Sequence, residues 1–91
     1  MIKIIGIEKS VGEFTPPNST TKLVYNNYNF YGIELDDKTG VIVGNKAKKI
    51  KVKIEDFDRI MQGKNVESLY DHVVEFYYNE YGKLFKIVII K

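Results

Sequence analysis

Cysteine is absent from this chain, which excludes disulfides, thiolate metal sites and cysteine nucleophiles together. Histidine occurs once, as His72, so chemistry that needs paired imidazoles is excluded as well. No run of 18 uninterrupted apolar residues occurs, so the sequence predicts no membrane span. The opening residues 1–8 are too short and too charged for a signal peptide, and we therefore expect a cytoplasmic protein.

The length and composition that remain predict one globular domain over residues 1–91. Apolar residues make up 44% of the chain and charged residues 29%, which is typical of folded soluble domains rather than disordered ones. Ninety-one residues are too few to divide into two units with separate cores. The net charge is only +2, but charge is unevenly distributed, with a basic segment over residues 46–53 and acidic segments over 34–37 and 55–58.

Periodicity predicts a mainly β chain with one short helix. The β-branched run at residues 2–7 favours a strand, and a loop follows at residues 15–21, where two prolines interrupt any ladder. The remaining predicted elements are strands over about 22–35 and 41–54, joined by a turn at 36–40 and bent at Gly44-Asn45, a helix over 55–63, and a hairpin of strands over 73–78 and 84–90. Residues 64–70 are ambiguous and could form another helical turn.

Three strands, a helix and two strands in this order predict a five-stranded Greek-key barrel of the OB type, with the helix between strands 3 and 4. Such a barrel hides the sheet edges that a chain this short would otherwise expose. An SH3-like barrel and an open α+β sheet are the alternatives, because periodicity identifies elements better than their pairing.

The sequence gives little support for catalysis, and we expect no enzyme, cofactor or metal. His72 lies beside Asp71 just before a strand, and neighbours in an extended chain point to opposite faces, so the histidine lacks an aligned partner. Asp36 and Asp37 stand in too short a turn to supply the alternating ligands of a calcium loop. The glycines form neither a phosphate loop nor a dinucleotide fingerprint.

A row of lysines in the third strand is the main candidate site. Ile50, Val52 and Ile54 alternate with lysines there, so the lysines share one face and repeat about every 6.6–6.8 Å, close to the phosphate spacing of an extended single strand. The alternative is an ordinary solvated face, or charges that protect a sheet edge from aggregation. The basic candidates for nucleic-acid binding are Lys46, Lys48, Lys49, Lys51 and Lys53.

Aromatic side chains complete the candidate site. If Tyr31, Ile33 and Leu35 point inward, the residues that alternate with them in the second strand point outward, and their rings lie beside the lysines. Rings next to a cationic groove are typical of proteins that stack single-stranded bases. The alternative is that these rings pack inside or are ordinary hairpin tyrosines. The aromatic candidates are Tyr28, Phe30, Tyr77 and Tyr81.

The last strand is apolar on both of its faces. One face carries Leu84, Val88 and Ile90, and the other carries Phe85, Ile87 and Ile89. It is therefore either central to the barrel or in contact with a second subunit, and a homodimer through this strand is one interpretation.

Four segments resemble the small single-stranded-DNA-binding proteins of filamentous phages and rolling-circle replicons. They are residues 2–8 (IKIIGIE), 32–35 (GIEL), 49–53 (KIKVK) and 74–84 (VEFYYNEYGKL). The resemblance implies an OB barrel, usually dimeric, that coats replicating single strands cooperatively through basic and aromatic side chains. Carried over to this sequence, it implies roles for Lys49, Lys51, Lys53, Tyr28, Phe30 and Tyr81.

The sequence therefore predicts a non-enzymatic protein that binds single-stranded nucleic acid, DNA by the resemblance, in phage or plasmid replication. This hypothesis requires the lysine tips and the rings to share one solvent-facing surface, and scattered lysines or a Phe30 buried in the core would count against it. One alternative is a small phage-type adaptor or inhibitor that binds a host protein, for example a nucleic-acid enzyme, through an exposed strand edge or the apolar last strand. Another is a structural subunit of a larger assembly.

Overall fold

The computed structural model describes residues 1–35 and 44–91, which form a mainly β domain. The prediction of five strands and a short helix between the third and fourth is confirmed. The predicted turn at 36–40 and the first part of the predicted third strand, 41–43, lie outside the described residues. The elements are β1 (Ile2–Phe14), β2 (Leu23–Glu34), β3 (Lys46–Lys53), α1 (Ile54–Met61), a 3₁₀ helix (Val66–Leu69), β4 (Val73–Tyr78) and β5 (Leu84–Ile89).

The strands form one antiparallel sheet in the order β3-β2-β1-β4-β5. Strand β1 is the middle of this sheet: it pairs with β2 along almost its whole length and with β4 only at Ile2 and Lys3. An extra residue at Ile5 shifts the β1–β2 register between Ile4 and Gly6. This bulge bends the strand and keeps both Ile4 and Ile7 on the core side, although their sequence separation is odd.

Helix α1 begins directly after β3 and covers one side of the sheet. Glu55 and Asp56 in its first turn complement the helix dipole, while Phe57 and Met61 are buried one turn apart. The helix ends where Gln62 and Gly63 adopt left-handed backbone angles, with φ of 37° and 85°. Through this apolar side α1 packs against β2, β3 and β5.

The core lies between the sheet and α1 and is rich in aromatic rings. The ring centroids of Phe30 and Phe76 are 5.6 Å apart, those of Phe30 and Phe57 are 6.1 Å apart, and the Tyr28 ring meets Phe57 edge-on at 5.3 Å. These separations are typical of favourable aromatic pairs. The other buried apolar side chains of this cluster are Ile2, Ile4, Ile50, Val52, Met61, Leu69, Val74 and Ile87.

The predicted orientation of β2 is wrong. Phe30 is 0% exposed and Tyr28 is half-buried on the core side, whereas Tyr31 lies on the opposite side of the sheet. The rings of Tyr28 and Phe30 fill the space beneath α1 and bury a large apolar area. Gly32 shares this inner parity and leaves room for Ile2, whose Cγ1 would be 2.5 Å from a Cβ at position 32.

Candidate nucleic-acid interface

Three rows of side chains cross β1, β2 and β3 on the side of the sheet turned away from α1, which we call the outer face. The strand register defines these rows, because residues directly opposite each other in neighbouring strands point to the same side. Strand β3 contributes a lysine to each row. The rows are Gly6–Tyr31–Lys49, Glu8–Asn29–Lys51 and Ser10–Asn27–Lys53.

The three lysines of the outer face are exposed and form a regular line along the edge strand β3. Alternation spaces Lys49, Lys51 and Lys53 about 6.6–6.8 Å apart. Among residues 1–35 and 44–91, no carboxylate forms an ion pair with any of the three. Their charges are therefore available to an anionic ligand.

Lys46 and Lys48 do not join this line. They occupy the same strand parity as Ile50 and point toward the other side of the sheet. Lys48 is already engaged there, with its Nζ 3.4 Å from Oε2 of Glu34. The structure thus brings together three of the five predicted lysines.

The rings on the outer face are not the predicted ones. Phe30 is sealed in the core and Tyr28 packs on Phe57, so neither ring can stack on a base at this surface. Tyr31 takes this place: the residue is 36% exposed, and the Nζ of Lys49 lies 5.7 Å from its ring centroid. That distance is within the range of a cation–π contact.

A second ring lies further along β2. Tyr25 is exposed and shares the outer parity with Tyr31, and its ring lies across Gly12 of β1, where any Cβ would collide with it. Tyr25 also lines a groove together with Lys51 and Lys53. The outer face therefore combines a lysine line with two tyrosine rings.

The two remaining tyrosine candidates lie in different places. Tyr81, 80% exposed, is in the β4–β5 turn, and its N–H donates to Oδ1 of Asn79 at 2.9 Å. The next residues of this turn, Gly82 and Lys83, line one groove with Lys51 and Lys53, so the turn flanks the lysine line. Tyr77, by contrast, is on β4, two strands away from β2, and pairs with Lys86, whose Nζ lies 5.7 Å from its ring centroid.

A carboxylate stands in the middle row of the outer face. Oε1 of Glu8 accepts hydrogen bonds from Nδ2 of Asn29 at 2.9 Å and from the Tyr31 hydroxyl at 3.0 Å. These bonds, first that from Asn29 and then that from Tyr31, hold the pKa of Glu8 below its ordinary value, and the Lys49 charge adds to the effect. Glu8 is therefore ionised at neutral pH.

Sequence reasoning missed Tyr25, Tyr31 and Glu8, although a signal for the two rings was present. Asn27 and Asn29 alternate with Tyr28 and Phe30. Amides are costly to bury without partners, so the odd positions of β2 are expected to face outward, and the two missed tyrosines have odd numbers. Glu8 has no comparable signal, because the bulge at Ile5 changes the parity of β1 before it.

The structure reveals little else that could carry chemistry. The Nδ1 of His72 lies 2.8 Å from the backbone oxygen of Lys91. The described ranges contain no group of three or more His, Asp and Glu side chains that could hold a metal ion. They also contain no helix with the length and apolar character needed to cross a membrane.

Comparison with known proteins gives no relative for this chain: no protein-family model, curated protein or solved structure matches it.

Proposed function

We propose that this protein binds single-stranded nucleic acid, DNA in the first instance, and serves replication of a phage or plasmid without catalysing a reaction. The observation that carries the proposal is the line of Lys49, Lys51 and Lys53, free of ion pairs to the described carboxylates, next to the exposed Tyr31 ring. Same-face residues in a strand repeat at nearly the spacing of phosphates in an extended single strand. Each lysine can therefore neutralise one phosphate.

The position of the rings supports the same arrangement. With phosphates along the edge strand β3, the bases lie over β2, where Tyr31 and Tyr25 present their rings. Base stacking on an aromatic side chain contributes about 1–3 kcal/mol per base and tolerates any sequence. The burial of Phe30 removes the ring on which the sequence-based hypothesis depended, so the proposal relies instead on Tyr31 and Tyr25 as the exposed rings of β2.

The proposal includes an OB-type closure of the sheet. Strands β3 and β5 are the two ends of the described sheet, yet both pack against α1, and Leu84 of β5 lines the same groove as Lys51 and Lys53. OB folds bind oligonucleotides on the face of strands 2 and 3, between the 1–2 and 4–5 loops. The lysine line, the β1–β2 hairpin and the β4–β5 turn correspond to these three parts.

Titration of a fluorescently labelled dT12 oligonucleotide at several salt concentrations tests the proposal. We expect binding at about 50 mM salt that weakens as salt rises, with each neutralised phosphate contributing about 0.7 to the log–log slope. Replacing Lys49, Lys51 and Lys53 by glutamine should lower the slope by about 2 and leave the domain folded.

The matched control replaces Lys9, Lys64 and Lys91 by glutamine, which removes the same charge from exposed positions outside the outer face, since Lys9 lies opposite the core-side Tyr28. It should leave the slope nearly unchanged. Undetectable binding of dT12 by the wild-type protein at about 50 mM salt would refute the proposal.

One observation favours the second candidate, an adaptor that binds a host protein. The end of the β1–β2 hairpin exposes apolar side chains, among them Phe14 opposite Leu23, and Val24 at 69% exposure. Clustered exposed apolar residues mark protein-binding surfaces. Nuclease-resistant recovery of one stoichiometric host protein, lost in the Phe14→Ser variant, would favour this candidate.

A further inference from the structure

We propose that Glu8 reads a base edge on the outer face and that the protein prefers guanine-containing single strands. This inference rests on the proposed function and names the ligand chemistry of the same site. The starting observation is the position of the Glu8 carboxylate. Glu8 is in the same row as Lys51, separated from it by Asn29, although a surface that binds only phosphates would not place a carboxylate there. A negative charge there repels phosphates, so we infer that it serves a different group of the ligand.

The carboxylate is held in position with half of its acceptor capacity free. Both hydrogen bonds, from Asn29 and from Tyr31, reach the same oxygen, Oε1. Within residues 1–35 and 44–91, nothing donates a hydrogen bond to Oε2. An ionised carboxylate has about four lone-pair sites, so Glu8 can still accept from a ligand without losing its internal bonds.

Asn29 supplies an independent observation. Asn29 is only 4% exposed, and its Oδ1 is buried without a hydrogen-bond partner among the described residues. Because Nδ2 donates to Glu8, the atom of the amide left without a partner is the acceptor Oδ1. A buried acceptor of this kind destabilises the site unless a donor reaches it. Asn29 thus leaves this enclosed acceptor unsatisfied while its Nδ2 holds Glu8, and the free Oε2 of Glu8 is the acceptor that a ligand with donors can reach.

Guanine is the base that satisfies a carboxylate best. Its Watson–Crick edge carries two adjacent donors, N1–H and the 2-amino group, which can converge on the two free lone-pair sites of Oε2. Cytosine and adenine place an acceptor nitrogen beside their amino group, and thymine has one N–H between two carbonyls. With the sugar-phosphate chain along the lysines of β3, a base that extends over β2 points its edge toward Glu8 on β1.

The experiment compares three labelled 12-mers by fluorescence anisotropy: d(TG)6, the same strand with inosine for guanine, and dT12. Inosine keeps N1–H but lacks the 2-amino group. A lithium buffer avoids guanine quadruplexes. We expect the wild-type protein to bind d(TG)6 about tenfold more tightly than dT12, with the inosine strand between them.

Glu8→Gln replaces one carboxylate oxygen, an acceptor, by an amide NH2 group, a donor, and removes the negative charge of the side chain. This variant should lose the guanine preference and bind dT12 somewhat more tightly than the wild type does. Glu13→Gln is the matched control, because Glu13 is on the same strand but on the opposite parity and pairs with Lys22. It should keep the full preference. Circular dichroism of both variants checks that the fold is intact.

Equal affinity of the wild-type protein for all three strands would overturn the inference while leaving the proposed function in place. Retention of the guanine preference in Glu8→Gln would overturn it as well. Absence of binding to every strand at about 50 mM salt would instead refute the proposed function itself.

Discussion

Adjacent residues of β2 have opposite roles. Phe30 belongs to the core, where its ring meets those of Phe57 and Phe76, while Tyr31 belongs to the outer face, where its ring meets Lys49 and its hydroxyl donates to Glu8. A change at one position should therefore affect stability and a change at the next should affect binding.

Substitution of each ring by leucine tests this division. Phe30→Leu should lower the free energy of unfolding by about 1–3 kcal/mol, because it removes part of a fully buried ring, and should leave dT12 affinity unchanged. Tyr31→Leu should weaken dT12 binding by about 1–3 kcal/mol at an unchanged salt slope, because it removes a stacking surface and no cation. Urea unfolding and anisotropy titration measure the two effects.

Tyr31→Phe is the control for the second variant, since it keeps the ring and removes only the hydroxyl bond to Glu8. It should bind dT12 nearly as well as the wild type does. A Phe30→Leu protein that unfolds like the wild type but no longer binds dT12 would contradict the assignment of the two faces.

At the scale of elements, the close approach of β1 and β2 depends on glycine at position 32. A Cβ there would lie 2.5 Å from the carbonyl oxygen of Lys3, a backbone atom that cannot rotate away. Gly32→Ala should therefore lower the free energy of unfolding by about 1–3 kcal/mol, the usual cost of overpacking.

Gly6→Ala is the matched control in the neighbouring strand. The nearest atom to its added Cβ is the Cβ of Tyr31 at 3.6 Å, an ordinary contact. Urea unfolding should therefore show a much smaller change for Gly6→Ala than for Gly32→Ala. Equal stability of the two variants would show that β1 and β2 can separate at Gly32 without cost.

Local patterns predicted some elements well and others poorly. Helix α1 follows from acids in its first turn and from the spacing of Phe57 and Met61, and β3 follows from strict alternation. The inward side of β2 was mispredicted because large apolar residues occupy both alternating sets of positions near Phe30, and the only local signal that separates the two sets is the pair of amides at Asn27 and Asn29. The bulge at Ile5 and the continuation of β1 to Phe14 depend on pairing with β2, which no local pattern reveals.

At the scale of the whole molecule, β5 is a candidate surface for self-association. It ends the described sheet, and Phe85 within it is 55% exposed. A homodimer through this strand would cover that ring and double the number of lysine lines available to one long oligonucleotide.

Sedimentation velocity over a range of protein concentrations tests the dimer. We expect the weight-average mass to rise from one protomer toward two, and Phe85→Glu to keep the protein monomeric because it places a charge in the apolar contact. Affinity of the variant for a short oligonucleotide such as dT12 should stay that of the wild type. A wild-type protein that sediments as a single protomer at all concentrations would contradict the dimer.

The alternation of β2 also has a consequence for how such a protein can change over time. The residues that fill the interior and those that we propose to contact the ligand alternate along a single strand, so they are connected only through the backbone. A lineage could exchange the outward side chains one by one, and so acquire a different ligand, while the inward side chains continue to specify the same architecture.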